Sequence, residues 1–182
     1  MIEVKNIKKG FGDKVVINDV SAIFQTGKCN LIIGTSGSGK TVLMKCLVGL
    51  FEPDSGEISY DGQNFSEMLE EQRKELRRSI GMLFQGSALF DSMTVEQNVM
   101  FPLDMFTKDN YAEKLKRVNA VLERVNLKDA NKKFPAEVSG GMKKRVALAR
   151  AIVLNPKYLF PLSFSNRISF LILILSSFSS DT

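Results

Sequence analysis

Glycine, hydroxyl and lysine residues recur in one stretch of this sequence at a spacing suited to binding phosphate. The stretch covers residues 34–41 and follows the pattern G-x-x-x-x-G-K-[ST], the phosphate-binding loop or Walker A motif. In order it reads Gly34, Thr35, Ser36, Gly37, Ser38, Gly39, Lys40 and Thr41. Glycines let the backbone curl so that successive N–H groups converge on one anion. We expect Lys40 to reach the β- and γ-phosphates of a nucleotide, and the Thr41 hydroxyl to bind Mg²⁺.

The segments on either side of this loop predict the elements that position it. The small and apolar residues of 31–34 are typical of a buried strand, and the apolar positions within 42–48 are typical of a helix. A helix that begins at the loop adds free N–H groups and its positive dipole end to the phosphate site. Strand, glycine loop and helix in this order favour a phosphate site over a glycine-rich turn with an accidental lysine.

Hydrophobic periodicity in the rest of the chain predicts further strands and helices. Predicted strands cover 1–7, 15–20, 21–24, 57–60 and 79–85, and predicted helices cover 67–78, 111–125 and 142–154. The strands of the N-terminal third alternate apolar with polar residues, which favours an antiparallel sheet with one buried face. An α/β fold is therefore expected, with that sheet set against the phosphate-loop unit.

Composition limits the classes of function. With 182 residues, 44% of them hydrophobic and 25% charged, the chain is typical of one soluble globular domain. The net charge of +5 comes from basic residues mixed with acids, which favours a solvated surface over binding to nucleic acid. Cys29 and Cys46 form no metal-ligand pattern, and we expect reduced thiols in a cytosolic protein without a secretory leader. The chain has no histidine, which excludes an imidazole mechanism run by this chain alone.

A second motif, at 134–142, identifies a family by resemblance. Its residues are Phe134, Pro135, Ala136, Glu137, Val138, Ser139, Gly140, Gly141 and Met142. They resemble the signature motif of ABC-type ATPases, aromatic-Pro-x-Glu-Leu-Ser-Gly-Gly, with valine in place of leucine, and 145–152 also resembles that family. A Ser-Gly-Gly sequence at a helix start offers a hydroxyl and free N–H groups to an anion. A plain helix cap is the alternative when the motif is taken alone.

The resemblance implies a fold and a nucleotide site. It implies a P-loop NTPase fold of ABC type over 1–160, with an antiparallel N-terminal sheet, a parallel core sheet and a helical subdomain at about 86–140. ATP and Mg²⁺ are the implied cofactors. In the family two domains pack head to tail, so Ser139, Gly140 and Gly141 would contact the ATP held by the phosphate loop of a second ATP-binding subunit.

Two further positions match the family's nucleotide contacts. Phe11 matches the aromatic residue that stacks on adenine, with a core aromatic near a turn as the alternative. Gln85 matches the glutamine that contacts Mg²⁺ and water and senses the transporter, with a polar residue at a strand end as the alternative. Both assignments depend on the resemblance.

The stretch 81–103 is similar to the ATPase subunit of Mla-type systems, which move phospholipids between the membranes of Gram-negative cells. Met142 agrees with that similarity. It implies a membrane permease docked near 85–102 and a cytoplasmic position on the inner face of the inner membrane. A soluble ABC ATPase of repair or translation is an alternative, although the tandem domains or long insertions usual in that group are not visible.

The tail, 161–182, departs from the family. Leu162 and Ser163 stand where the family has the Mg²⁺-binding aspartate and the glutamate that polarises water. Without either carboxylate we expect hydrolysis to fall by at least about 10³-fold. The strand normally found beside the phosphate-loop strand is lost, and 168–175 is expected either to replace it or to stay exposed and prone to aggregation.

The origin of the tail stays open between out-of-frame translation and a genuine ATPase relative that binds nucleotide without hydrolysing it. Its apolar run, 170–175, is shorter than the ~20 residues that a membrane-spanning helix needs.

Overall fold

The strands of the residues that the structure describes form two four-stranded sheets. The computed structural model describes residues 1–84, 86–162 and 170–174, so Gln85 and Ser163 lie outside the described residues. In chain order the elements are β1 (Ile2–Phe11), β2 (Lys14–Phe24), β3 (Cys29–Ile32), α1 (Lys40–Leu47), β4 (Ser55–Tyr60), β5 (Gln63–Asn64), α2 (Glu70–Arg78), β6 (Ile80–Phe84), α3 (Val95–Phe106), α4 (Tyr111–Arg124), α5 (Gly140–Ile152), β7 (Tyr158–Leu162) and β8 (Phe170–Ile174).

The N-terminal sheet is antiparallel, as predicted. Its order is β2-β1-β4-β5. Alternate residues of β1 are buried at Ile2 and Val4, which is the pattern of a strand with one face in the core. The two runs predicted at 15–20 and 21–24 form the single strand β2, because no glycine or proline separates them.

The second sheet has the order β3-β8-β7-β6. β6 and β7 pair in parallel, from Ile80 opposite Tyr158 to Phe84 opposite Leu162. The predicted parallel core is therefore present as this pair, and β8 extends it by pairing antiparallel with both β7 and β3. Only 163–169 separate β7 from β8, which is too short for the crossover of a dozen or more residues that parallel neighbours require.

β8 is the replacement strand expected from the tail. It pairs with all four residues of β3, the strand that leads into the phosphate loop. Its pairing with β7 is limited to Tyr158 and Leu159. Pro161 follows in β7 and has no N–H to donate to a ladder, so β7 cannot continue the pairing on that side.

Two hydrophobic clusters support the fold. The first joins the N-terminal sheet, α1 and β7, and its large buried side chains include Ile2, Ile7, Met44, Leu47, Tyr158 and Phe160. The second joins α3, α4 and α5, and its large buried side chains include Val95, Val99, Leu103, Val118, Leu122 and Val146. The predicted helices of 111–125 and 142–154 correspond to α4 and α5 in this second cluster.

α3 was not among the predicted helices. Pro102 lies inside it and removes one backbone hydrogen bond. Capping and burial offset that loss. The Thr94 hydroxyl accepts from Gln97 N, Thr94 N donates to Gln97 Oε1, and Val99 is fully buried. None of the described helices is long and apolar enough to cross a membrane.

Candidate functional site

The phosphate-binding stretch connects β3 to the first turn of α1, as the sequence predicts. The prediction that the preceding strand is buried was wrong, because Leu31 is 46% exposed and Ile33 is 68% exposed. Gly37 and Gly39 have φ values of +81° and +86°, a left-handed conformation that favours glycine. Gly39 is also the residue that caps α1, and its carbonyl accepts the first helical bond from Leu43 N at 2.9 Å. A Cβ at Gly39 would lie 2.7 Å from the carbonyl oxygen of Val16 in β2. The loop therefore fits closely against the N-terminal sheet at this residue.

Lys40 turns its ammonium group back over the loop. Its Nζ donates to the carbonyl oxygens of Gly34 at 2.8 Å and Thr35 at 2.5 Å, and lies 3.3 Å from Ser38 Oγ. The loop is closed by Ser38 N, which donates to Thr35 O at 3.2 Å. The positive charge is thus held against carbonyl oxygens of the same loop whose N–H groups are predicted to bind phosphate.

The four residues of the loop that carry a hydroxyl group, Thr35, Ser36, Ser38 and Thr41, are all exposed. Thr41 stands in the first turn of α1, next to the free N–H groups of the helix start. A hydroxyl in that position can accept from water or bind a cation beside a phosphate. The residues present at 34–41 therefore fit a triphosphate, and Thr41 fits one ligand position of Mg²⁺.

The carboxylates that would complete a Mg²⁺ site do not stand among the described residues. No group of three or more Asp, Glu, Cys or His side chains capable of holding a metal ion occurs in the part of the chain that the structure describes. β7 ends at Leu162, paired with Phe84, the last residue before Gln85. Leu162 therefore stands where the family's metal-binding aspartate is expected, at the carboxyl end of β7, but its side chain is aliphatic.

Phe11 lies at the end of β1 and is 46% exposed, so it is not a buried core aromatic. Its ring meets the ring of Phe51 edge to face, with centroids 5.4 Å apart and planes at 68°. Phe11 belongs to the hairpin of β1 and β2, which packs against the start of α1. Val16 and Ile17 of β2 supply the atoms nearest to a Cβ placed at Gly39, the residue that caps α1. Sequence reasoning did not find Phe51, because its contact with Phe11 spans distant parts of the chain.

The Ser-Gly-Gly motif caps α5. Ser139 Oγ accepts from Met142 N at 3.2 Å, which is the capping bond that the alternative reading required. Ser139, Gly140 and Gly141 are nevertheless all exposed, and a Cβ at Gly140 would meet open space. The motif is therefore exposed at the start of α5, which packs in the second cluster, whereas α1, the helix that follows the phosphate loop, packs in the first.

Arg150, also on α5, holds the loop that follows Gln85. Its guanidinium donates to the carbonyls of Ser87 at 3.0 Å and Ala88 at 2.8 Å. Burial lowers the pKa of Arg150 from its ordinary value. Both loop residues have positive φ, so the bonds stabilise a backbone that non-glycine residues rarely adopt. The residues after Gln85 are therefore tied to α5, the helix that Ser139 caps.

Asn98 holds the next part of this loop from α3. The side chain is fully buried, and its amide donates to the carbonyls of Phe90, Met93 and Thr94 and accepts from Phe90 N. All of its hydrogen-bonding groups are used, as a buried amide requires. Arg150 and Asn98 thus fix the loop between β6 and α3 at two points, beside an apolar cavity.

That cavity has a volume of about 340 Å³ and lies between β6, α3, α5 and the loop. Its lining includes Met82, Phe84, Phe90, Phe101, Pro102 and Leu154. Phe84 and Phe90 are 43% and 41% exposed, which leaves large apolar surface open to solvent. Part of the cavity lining, Phe90, Phe101 and Pro102, belongs to 85–102, where the sequence predicts a membrane partner.

Comparisons with known proteins agree with this geometry. The ABC transporter family matches residues 17–160. The methionine import ATP-binding protein MetN of Campylobacter jejuni is 41% identical, over 87% of this chain and 52% of that protein. The probable ribonucleotide transport ATP-binding protein mkl of Mycobacterium leprae is 42% identical, over 86% of this chain and 45% of that protein. The chain thus spans about half the length of the curated relatives it matches.

Solved structures show the same fold. The dimeric post-hydrolysis state of the ATP-binding cassette MJ0796 bound to ADP and Pi aligns with a TM-score of 0.76 and 28% identity, over 88% of this chain and 73% of that one. The cbiO1 protein of Clostridium perfringens, part of the transporter complex cbiONQ, aligns with a TM-score of 0.76 and 29% identity, over 88% of this chain and 64% of that one. A family match over most of its length, joined to a formed phosphate loop, shows that this chain belongs to the ABC transporter family.

Proposed function

We propose that this chain is an ATP-binding subunit of an ABC transporter, which holds ATP and Mg²⁺ between its own phosphate loop and the Ser-Gly-Gly motif of a second copy. The observation that carries the proposal is the geometry of 34–41, where Lys40 lies over a loop whose left-handed Gly39 leads into α1. This arrangement offers backbone N–H groups, a helix start and one ammonium group to the same anion.

Each site residue then has a physical role. Lys40 leaves the loop carbonyls to pair with the β- and γ-phosphates, and the backbone of Gly34, Ser36, Gly37, Ser38 and Gly39 surrounds the phosphates. Thr41 and Gln85 supply ligands to Mg²⁺, and Phe11 stacks on the adenine. Ser139, Gly140 and Gly141 close the site from the second copy, in agreement with their exposure.

The proposed partner on the membrane side is a permease. The apolar cavity beside the loop after Gln85 is open to solvent and lined by aromatic rings, so it suits a short amphipathic helix of a partner protein. The named relatives MetN and mkl are import or transport subunits, which favours a transporter over a soluble ATPase of repair or translation. Such a chain lies in the cytoplasm, on the inner face of the inner membrane.

We propose phospholipid as the transported substrate. The support is the resemblance of 81–103 to the Mla-type ATPase, the stretch that includes β6 and most of α3. Residues of this stretch line the cavity proposed for the permease, and the permease rather than this chain would contact the substrate.

A non-hydrolysing nucleotide-binding subunit is the second candidate function. The aliphatic Leu162 at the end of β7 favours it, together with the lack of a metal-binding carboxylate cluster among the residues the structure describes. Phosphoryl transfer depends on positioning the metal ion and the water, and this chain retains the groups that hold the phosphates. The two candidates share ATP binding and differ in turnover.

One experiment tests both candidates. MgATP binding is measured by calorimetry on the full chain, on Lys40→Ala and on a control, Lys74→Ala, whose lysine is exposed on α2. Loss of a charge-assisted bond should weaken MgATP binding about 10- to 100-fold in Lys40→Ala and leave it unchanged in the control. Phosphate release is followed on the same samples.

The outcomes separate the possibilities. Binding without phosphate release supports the non-hydrolysing subunit, and steady turnover that Lys40→Ala abolishes supports the ATPase. A parent chain that does not bind MgATP, or a Lys40→Ala chain that binds it equally well, contradicts the proposed nucleotide site.

A further inference from the structure

We infer that Phe51 is a positioning residue that fixes the orientation of Phe11 for the adenine base, an inference that rests on the proposed ATP site. Phe11 is exposed at the end of β1, where a free phenylalanine would sample several rotamers. The edge-to-face contact with Phe51, at 5.4 Å between centroids, restricts that freedom. A ring fixed before the base arrives loses less entropy on binding.

Phe51 is itself tied to the helix that starts at the phosphate loop. Its backbone N–H donates to the carbonyl of Lys45 in α1 at 3.1 Å. The ammonium of the same Lys45 lies 5.0 Å from the centroid of the Phe51 ring, within the range of a cation–π contact. The side chain is partly buried against the first hydrophobic cluster. Phe51 therefore has a fixed place relative to α1.

The segment that follows Phe51 holds the end of β1 through three hydrogen bonds. Asp54 N donates to Lys8 O at 2.8 Å, and the Asp54 carboxylate accepts from Gly10 N at 2.7 Å and from Lys9 Nζ at 2.6 Å. The Lys9 ammonium also lies 5.6 Å from the centroid of the Phe11 ring. These contacts place the strand end that carries Phe11 at a set distance from the loop that would hold the phosphates.

Together, the contacts of Phe51 with Phe11, of Phe51 with α1 and of Asp54 with β1 connect the phosphate loop to the residue proposed to stack on the adenine base. α1 positions the phosphate loop at its start and Phe51 at its end, and Phe51 positions Phe11. The inference therefore separates two parts of a nucleotide: Phe51 affects the binding of the base and has no effect on the binding of the phosphates. A residue with a merely structural role would affect both.

The test compares MgATP with magnesium tripolyphosphate, which has the phosphates without the base. Calorimetry on the full chain should show that Phe51→Leu weakens MgATP binding about three- to tenfold, the range expected for one aromatic pair, with tripolyphosphate binding unchanged. Phe51→Tyr keeps the ring and should bind both ligands as the parent does. Phe65→Leu removes an aromatic ring that packs on Tyr60 instead, and serves as the matched control with both affinities unchanged.

A double-mutant cycle tests whether Phe51 acts through Phe11. Phe51→Leu should have no further effect on MgATP affinity in a Phe11→Ala chain. The inference is overturned if the effect of Phe51→Leu persists there, if MgATP affinity does not change in the single variant, or if tripolyphosphate affinity falls as much as MgATP affinity in Phe51→Leu. A parent that binds neither ligand would overturn the proposed function and this inference together, whereas a parent that binds MgATP leaves the proposed function standing.

Discussion

Gly37 and Gly39 show, at the scale of single residues, which parts of the phosphate loop tolerate change. Both have a left-handed backbone, and a side chain at either position is strained by about 1–2 kcal/mol. Only Gly39 also approaches another strand, because a Cβ there would lie 2.7 Å from Val16 O, whereas no atom lies within 4 Å of a Cβ at Gly37. Substitutions at Gly37 and Gly39 can therefore be compared directly, because both add the same backbone strain and only the one at Gly39 adds a clash.

We expect Gly37→Ala to lower the free energy of unfolding by about 1–2 kcal/mol and Gly39→Ala to lower it by more, since the clash adds to the same strain. Gly39→Ala should also weaken MgATP binding more strongly, because relief of the clash moves the loop away from β2. Urea denaturation and calorimetry measure the two effects. Equal losses of stability in the two variants would contradict the close fit at Gly39.

Local chemistry made these residues predictable from the sequence. The phosphate loop, with its strand and helix, is a contiguous pattern in which each residue type has a local reason. Arg150 and Phe51 could not be predicted, because each acts on a segment that is distant in the chain, and nothing in the neighbouring residues specifies that contact. The exposure of Ser139 likewise depends on how α5 packs, although its role as a cap is local.

At the scale of elements, β8 shows how a strand position can be filled by a different sequence. An apolar run was enough to predict a strand in the tail, because strands of core sheets are typically continuous apolar runs. Its direction follows from the short connection to β7, and its partner β3 depends on the whole sheet. The helix α3 was missed because its stability depends on tertiary burial in spite of Pro102.

The turn between β4 and β5 is joined to β7 by Asp61. Its carboxylate accepts from Lys157 Nζ, from the Met1 amino group and from the Tyr158 hydroxyl. Burial raises the pKa of Asp61, but the hydrogen bonds from these three groups outweigh it and lower the pKa to about 2. The contact therefore links the N-terminal sheet to the strand where the family's metal-binding acid is expected.

This shift predicts how stability depends on pH. The unfolded chain binds a proton at Asp61 near pH 3.9, and the folded chain does so only near pH 2. The contribution of the Asp61 carboxylate to the free energy of unfolding is complete above about pH 4 and is lost as the pH falls from about 4 to about 2. In urea titrations the stability difference between the parent and Asp61→Asn should shrink over this window. Lys157→Met removes the hydrogen bond that lowers the Asp61 pKa most, and should narrow the pH range over which the stability difference changes. A stability difference that stays constant with pH would contradict the assignment of this pH dependence to Asp61.

At the scale of the whole molecule, the helices that follow the phosphate loop and the Ser-Gly-Gly motif, α1 and α5, pack in different hydrophobic clusters. The exposure of Ser139 and Gly141 leaves that motif open to a second chain, and the MJ0796 cassette of the same fold was solved as a dimer. In the proposed head-to-tail dimer, each of two composite sites takes 34–41 from one copy and 139–141 from the other. Two variants, each defective in a different one of these two motifs, can therefore form one intact site when they are mixed.

Lys40→Ala removes the cation of the loop, and Ser139→Arg places a long side chain where the second copy would close the site. We expect neither variant alone to dimerise with MgATP in sedimentation experiments, and an equimolar mixture to form a heterodimer with one intact composite site. Ser92→Arg, an arginine added at another exposed serine, should dimerise as the parent does. If Ser139→Arg dimerises alone, Ser139 does not close the site. If the parent dimerises and the mixture does not, the two motifs do not meet across the dimer, and α5 is capped by Ser139 for structural reasons only.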